Sequence, residues 1–167
     1  VAAMNAEPAP RVNKDAFRAR SLRDNLELFE LLRTAQRPTI ALGMGEFGLM
    51  SRVLAPKFGG FLTFAALRDA SATAPGQPTL DDLLHRYRFR SIGRATKVYG
   101  VIGWPVAHSL SPTVHNAGFQ RSRHDGVYLP LPVPAEWEHF KATLGALLDD
   151  AHLEFRGASV TLPHKEH

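Results

Sequence analysis

Lys97-Val98-Tyr99-Gly100-Val101-Ile102-Gly103-Trp104-Pro105-Val106-Ala107-His108-Ser109-Leu110-Ser111-Pro112 passes from an apolar run ending in glycine to a proline placed for the first turn of a helix. It predicts a buried strand over Lys97 to Gly103 and a helix from Pro112 to about Arg121, with Ser111 as N-cap. Downstream, Val127 to Leu131 reads as a strand. Ala135 to Leu148 reads as an amphipathic helix with Trp137, Phe140, Leu144 and Leu147 on one side, and Ala158 to Thr161 as a last strand.

The same rhythm extends upstream. Ser21 with Asp24 three residues later has the pattern of a capping box, before Leu22, Leu26, Phe29 and Leu32 at helical spacing. Thr39 to Met44 reads as a short buried strand, Leu49 to Leu54 as a helix stopped by Gly59-Gly60, and Phe61 to Ala65 as another strand. A loop from Ser71 to Pro78 follows, and then Thr79 as N-cap of a helix carrying Leu80, Leu83 and Leu84. Strands alternating with helices predict an α/β architecture with parallel sheet. Gly93, inside the polar stretch 86–96, is the natural boundary between two units.

Composition narrows the class. The chain has 167 residues, 44% of them hydrophobic and 22% charged, with a net charge of +4. That is enough apolar material for a real core, and no apolar run approaches the ~20 residues of a membrane span. With no cysteine there is no thiolate nucleophile, disulfide or cysteine-ligated metal. No secretory pattern is present, so the expectation is a soluble, cytoplasmic chain without membrane or metal. Val1 to Val12 is Ala- and Pro-rich and reads as a poorly structured start. A nucleic-acid-binding face needs clustered cations. The one cluster, Arg86, Arg88, Arg90, Arg94 and Lys97 with Tyr87 and Phe89 between, reads instead as a solvated linker, so no nucleic-acid partner is expected. The modest positive bias suits substrates that carry carboxylates.

In an extended segment Ser109 and Ser111 would point to one side, beside a helix N-terminus that attracts anions. Val160-Thr161-Leu162-Pro163-His164-Lys165 follows a strand, where open α/β sheets bind ligands, and a lysine there can move a proton or hold a carboxylate. Taken alone, a serine–proline cap and a surface lysine explain each motif as well. Together, Val101-Ile102-Gly103-x-Pro105-Val106-x-His108-Ser109-x-Ser111-Pro112-x-x-His115-Asn116 and Val160-Thr161-x-Pro163-x-Lys165 closely resemble the substrate-binding part of shikimate dehydrogenase, over roughly residues 97–167. The resemblance implies Ser109, Ser111 and Thr161 as shikimate contacts, Ser159 (where the family often has asparagine) as a further one, and Lys165 as the catalytic proton donor and acceptor. It implies NADPH as the hydride source, bound in a Rossmann domain expected after His167 and so outside this chain. Gly43-Met44-Gly45-Glu46-Phe47-Gly48 has G-x-G-x-x-G spacing but lacks the acidic residue a nucleotide site needs after the next strand.

In the first half, Arg52 follows a glycine-rich turn where it could grip a carboxylate, and Thr73-Ala74-Pro75-Gly76-Gln77 offers a hydroxyl and an amide; each is also compatible with ordinary surface structure. Together with Pro38 to Gly45, Gly48 to Arg52 and Thr63 to Ala65, they resemble the end of type I 3-dehydroquinate dehydratase, an eight-stranded βα barrel. The resemblance implies Arg52 as clamp on the substrate carboxylate, Phe64 as a packing contact, and Gln77 and Thr73 as polar contacts. It places Lys14 at the family's Schiff-base position, whose amine attacks the substrate ketone. None of the eight histidines stands where the family's catalytic histidine would.

The expected whole is therefore the junction of a fused dehydratase–dehydrogenase. Residues 1–85 are the last strands of a partial (βα)8 barrel, 86–96 a linker, and 97–167 a βαβαβ substrate-binding domain. Its substrates would be 3-dehydroquinate, 3-dehydroshikimate and shikimate, and the chain on its own is expected to be inactive. The alternatives are a non-catalytic shikimate- or quinate-binding module, or a basic nucleic-acid binder. Composition does not set the oligomeric state.

Overall fold

The computed structural model describes residues 11–68 and 76–166. It is a mixed α/β structure whose sheets are parallel. The first sheet pairs β1 (Asn13–Arg18) with β2 (Thr39–Met44), in register from Asn13↔Thr39 to Arg18↔Met44. Between them runs α1 (Asp24–Thr34), and after β2 come a 3-10 turn (Glu46–Gly48) and the short α2 (Leu49–Val53). The second sheet has strand order β4-β3-β5, with β3 at Lys97–Gly103, β4 at Gly126–Pro132 and β5 at Phe155–Val160. Its crossovers are α3 (Ser111–Ser122) and α4 (Trp137–Asp149).

Side-chain period explains the layers. Val98, Ile102, Val127, Leu129 and Leu131 face one way and pack with Phe140 and Leu147 of α4. Val101 and Tyr128 face the other way, where Phe119 of α3 packs against them. The first layer is continuous with the core of the first half: Leu22, Phe29, Val53 and Phe58 belong to the same cluster, and Phe29 stacks on Phe58 with ring centroids 4.0 Å apart. The two halves thus share one apolar core. Among the described residues no helix is long and apolar enough to cross a membrane.

Three sequence expectations change. The Phe61–Ala65 run makes no ladder. Only the Phe61 N–H reaches β2, donating to Thr39 O at 2.9 Å, and a single bridge joins Ala66 to Thr79. Phe61, Leu62 and Phe64 stay 40–55% exposed, because among the described residues no neighbouring strand pairs along the run. The helix after Thr79 carries Leu80, Leu83 and Leu84 as expected but is not a regular α-helix. Thr79 does cap it, its Oγ1 accepting from Asp82 N at 3.0 Å, but the turn widens to a π-type turn over Asp82–Arg86. Third, the basic stretch is not a solvated linker. Tyr87, Ile92 and Thr96 are buried while Arg90 and Arg94 point to solvent, so the segment folds against the core one side at a time.

Lys57, 3% exposed, ties this stretch down. Its ammonium donates to Arg94 O and Thr96 O, both at 2.8 Å. Burial pushes its pKa below 10.5, against the opposing pull of Glu154, Asp125 and Asp150. Lys57→Met strands two buried carbonyls and is expected to cost about 2–4 kcal/mol. Between the lowered folded value and 10.5, the folded chain has released a proton that the unfolded chain still holds. Stability from Lys57 therefore rises with pH in that window. Thermal melts at about pH 8 and about pH 10 should show the wild type gaining on the variant; a gap that narrows would contradict this role.

Candidate functional site

Two separate constellations form. In the first, Lys14 and Ala16 of β1 and Leu42 and Met44 of β2 present one face of the two-stranded sheet to a cavity of about 290 Å³, completed by Arg52, Phe64 and Gln77. Four of the residues singled out by sequence, Lys14, Arg52, Phe64 and Gln77, thus share one hollow. The Lys14 Nζ lies 4.8 Å from the centre of the Phe64 ring, within cation–π range. Thr73 lies outside the described residues.

Arg52 is 2% exposed and reaches back under β2. Its Nε donates to Gly43 O at 3.1 Å and its Nη1 to Phe64 O at 3.4 Å. Among the described residues it meets no carboxylate, and burial pushes its pKa down from the usual value. A buried guanidinium paired only with carbonyls is poised for an anionic ligand.

Local structure fixes that arginine. Ser51 Oγ accepts from Gly43 N at 2.8 Å and donates to Gly48 O at 2.7 Å. The fully buried Asn25 accepts from Ser51 N at 3.0 Å and donates to Leu22 O and Phe47 O, both at 2.8 Å. The glycines let the turn close. A Cβ on Gly48 would sit 2.4 Å from Gly43 C and O, and one on Gly76 would sit 2.3 Å from Gly45 O. The G-x-G-x-x-G run is therefore filled by its own chain, and the described residues there do not fit a dinucleotide.

The second constellation lies at the C-terminal end of the three-stranded sheet, where three loops are laced together. Trp104 N donates to Leu162 O at 3.0 Å, Val133 N to Gly103 O at 3.0 Å, and Thr161 N to Ile102 O at 2.9 Å. Gly103 leaves room for Thr161, whose Cγ2 would be 2.5 Å from a Cβ there. Lys165 N donates to Thr161 O at 3.1 Å, and the Lys165 side chain is exposed. Beside it, buried His164 packs on Phe140 with centroids 4.8 Å apart and places Nε2 3.1 Å from Val133 O. Because β3 and β5 are parallel neighbours, the Ser109–Ser111 loop and the Thr161–Lys165 segment leave the same edge of the sheet.

The serine geometry differs from expectation. Leu110 is helical (φ −81°, ψ −10°), so the segment is not extended, and Ser111 is the first helical residue rather than the cap. The N-cap is Leu110, and the Ser109 hydroxyl just before it accepts from Ser111 N at 3.2 Å. Ser159 stands apart from Lys165, in a roughly 730 Å³ hollow with Tyr99, His115, Phe119 and His124, where its Oγ accepts from Tyr128 OH at 3.0 Å.

Sequence reasoning gave no role to Asn116 and misread Arg86. Asn116 grips Tyr128 of β4 at both backbone groups, at 2.9 and 2.8 Å, and seats α3. Arg86 donates from Nη2 to Ser109 O at 2.8 Å. Neither partner is near in sequence, so no local signal could have found them. No group of three or more His, Cys, Asp or Glu placed to hold a metal occurs among the described residues.

Comparison with known proteins falls along the same division. The family model described as "Type I 3-dehydroquinase" matches residues 5–94, and that described as "Shikimate dehydrogenase substrate binding domain" matches residues 101–167. The chain is 48% identical over 153 residues to a chloroplastic bifunctional 3-dehydroquinate dehydratase/shikimate dehydrogenase of Arabidopsis thaliana, covering 92% of this chain and 24% of that protein. It is 33% identical over 162 residues to the shikimate biosynthesis protein AroDE of Chlamydia pneumoniae, covering 97% and 32%. Its second half is 50% identical over 70 residues to a shikimate dehydrogenase (NADP(+)) of Citrifermentans bemidjiense, covering 42% and 22%. The chain thus spans about a quarter to a third of the length of the two bifunctional relatives. The chain belongs to the type I 3-dehydroquinase family, and its residues 101–167 match the model of a shikimate dehydrogenase substrate-binding domain.

Proposed function

We propose that this chain is the joint of a protein that dehydrates 3-dehydroquinate to 3-dehydroshikimate and then reduces the product to shikimate. The observation that carries the first activity is the hollow gathering Lys14, Arg52, Phe64 and Gln77. In this reading residues 1–85 are the end of a (βα)8 barrel, 86–96 its connection, and 97–167 the substrate-binding domain of the dehydrogenase. The Lys14 amine attacks the substrate ketone and water leaves. The iminium draws electrons so that an adjacent proton and a hydroxide are lost together as water, and a water then hydrolyses the product iminium, freeing 3-dehydroshikimate and the Lys14 amine. Arg52 binds the substrate carboxylate as a bidentate partner. Phe64 packs against the ring, while Gln77 and Thr73 take up hydroxyls.

In the second half Ser109, Ser111 and Thr161 bind the carboxylate and hydroxyls of the cyclohexene. Ser159 contributes from its strand, and Lys165 gives or takes the proton at the oxygen being reduced. Reduction also needs a hydride donor. NADP is the cofactor this reading requires, held by parts of the protein other than the described residues. A non-catalytic shikimate-binding module is the second reading, favoured by Ser109, Ser111 and Thr161 standing at the end of a three-stranded sheet whose strands all come from residues 97–160.

Trapping tests the proposal. With 3-dehydroshikimate and borohydride, the iminium is reduced to a secondary amine, and mass spectrometry should find the adduct on the Lys14 peptide and lose it in Lys14→Met. Labelling that avoids Lys14, or is shared evenly among lysines, would contradict it.

A further inference from the structure

Arg86 lies within the stretch that matches the type I 3-dehydroquinase model, yet its best contact is with the Ser109–Ser111 loop of the second half. The guanidinium is held from behind. Its Nη1 lies 3.8 Å from Asp82 Oδ1, Asp82 Oδ2 accepts from Thr79 Oγ1 at 2.9 Å, and the group rides 5.5 Å from the centre of the Tyr87 ring. Tyr87 is 3% exposed, and burial pushes its phenol up to about 12, so it stays a neutral platform. Arg86 Nε is buried and without a partner among the described residues, which leaves Nη2, at 2.8 Å from Ser109 O, as its strong hydrogen bond.

That carbonyl sits at a sensitive place. The Ser109–Leu110 peptide sets where both serine hydroxyls point, and its orientation is otherwise fixed by short local bonds: Ser109 N to Val106 O at 3.1 Å and Ser111 N to Ser109 Oγ at 3.2 Å. A charge-assisted bond from a half-buried arginine is stronger than either. A second contact crosses between the halves at the start of the same loop, where Phe47 stacks on Trp104 with centroids 5.3 Å apart and planes 9° from parallel.

We propose that Arg86 is a positioning residue for the dehydrogenase site: the dehydratase half holds the Ser109–Ser111 loop in its ligand-binding shape. The inference rests on the reading of Ser109 and Ser111 as ligand contacts. It predicts a particular kinetic split. The loop binds substrate but does not transfer the proton, so losing its anchor weakens binding and spares the chemical step.

In the full-length protein, Arg86→Met is expected to raise KM for shikimate about tenfold, equivalent to about 1.4 kcal/mol. It should leave kcat within about twofold and dehydratase activity unchanged. Arg86→Lys, which keeps a cationic donor, should recover part of the loss. Arg90→Met removes the same charge from an exposed neighbour and should change nothing. In the 167-residue chain without ligand, Arg86→Met should also speed hydrogen exchange at the Ser111 amide. An unchanged KM with unchanged Ser111 exchange overturns the proposal, as does an equal rise in Arg90→Met. If Ser111 exchange quickens but the wild type neither binds nor oxidises shikimate, positioning stands and the functional reading of the loop fails.

Discussion

Replacing Gly48 by alanine is expected to destabilise the chain by about 3 kcal/mol or more, lowering its melting temperature by roughly 6–12 °C. The cause is a collision that cannot be relieved. The new Cβ would lie 2.4 Å from both C and O of Gly43 and 2.9 Å from its Cα, all of them backbone atoms of β2. No side chain can rotate away, so the Glu46–Gly48 turn must lift off the strand. Lifting it breaks the bonds of Ser51 to Gly43 N and Gly48 O and lets go of Asn25, whose amide holds Phe47 O. Arg52, one residue further on, would lose its grip on Gly43 O. Ligand binding in the first hollow should therefore fall together with stability. Gly118→Ala is the natural control: its Cβ would meet nothing within 4 Å in α3, and a helix there should gain about 0.5–1 kcal/mol. Equal melting temperatures for Gly48→Ala and wild type would contradict the close packing of turn and strand.

Lys165→Met should lower kcat for shikimate oxidation in the full-length protein by about 10²–10⁴-fold, the usual worth of a positioned proton-transfer group. KM should move only a few-fold, since the proposed contacts of Ser109, Ser111 and Thr161 are left in place. Exposure makes this variant clean, because the lysine side chain carries no core contact while its backbone, bonded to Thr161 O, and buried His164 keep the segment in place. Lys141→Met, on the exposed face of α4, should leave kcat unchanged. A loss below tenfold at Lys165 would remove it from the chemistry.

What was legible in the sequence follows from where the signal is stored. β3 begins and ends at Lys97 and Gly103 as read, because an apolar run bounded by a lysine and a glycine specifies its own limits. α4 and β4 are nearly as plain, their apolar spacing matching the faces they bury. β1 is not visible in the same way. Asn13, Asp15 and Arg18 interrupt any apolar pattern, and the strand exists because its backbone pairs along the whole of β2. The lysine on it was placed by resemblance, not by periodicity. Phe61–Ala65 shows the converse, a strand-like composition along which no strand pairs among the described residues. In the 86–96 stretch the arginines drew attention, while burial is set by Tyr87, Ile92 and Thr96 between them. The helix starts one residue earlier than the Ser111 cap implies, with Leu110 at the N-cap and the Ser109 hydroxyl accepting from Ser111 N. Lys57 to Arg94 and Thr96, Arg86 to Ser109, and Phe47 to Trp104 pair residues 23 to 57 positions apart. Only folding reveals them.

In the proposed function two different active sites begin on this one chain, each with its own lysine. Assaying dehydratase and dehydrogenase activity in the same preparation of full-length Lys14→Met protein tests it most directly. The account predicts dehydratase activity reduced to background while shikimate oxidation keeps its wild-type kcat and KM. Dehydratase activity that survives the substitution, or loss of both activities in protein that melts like the wild type, would contradict it.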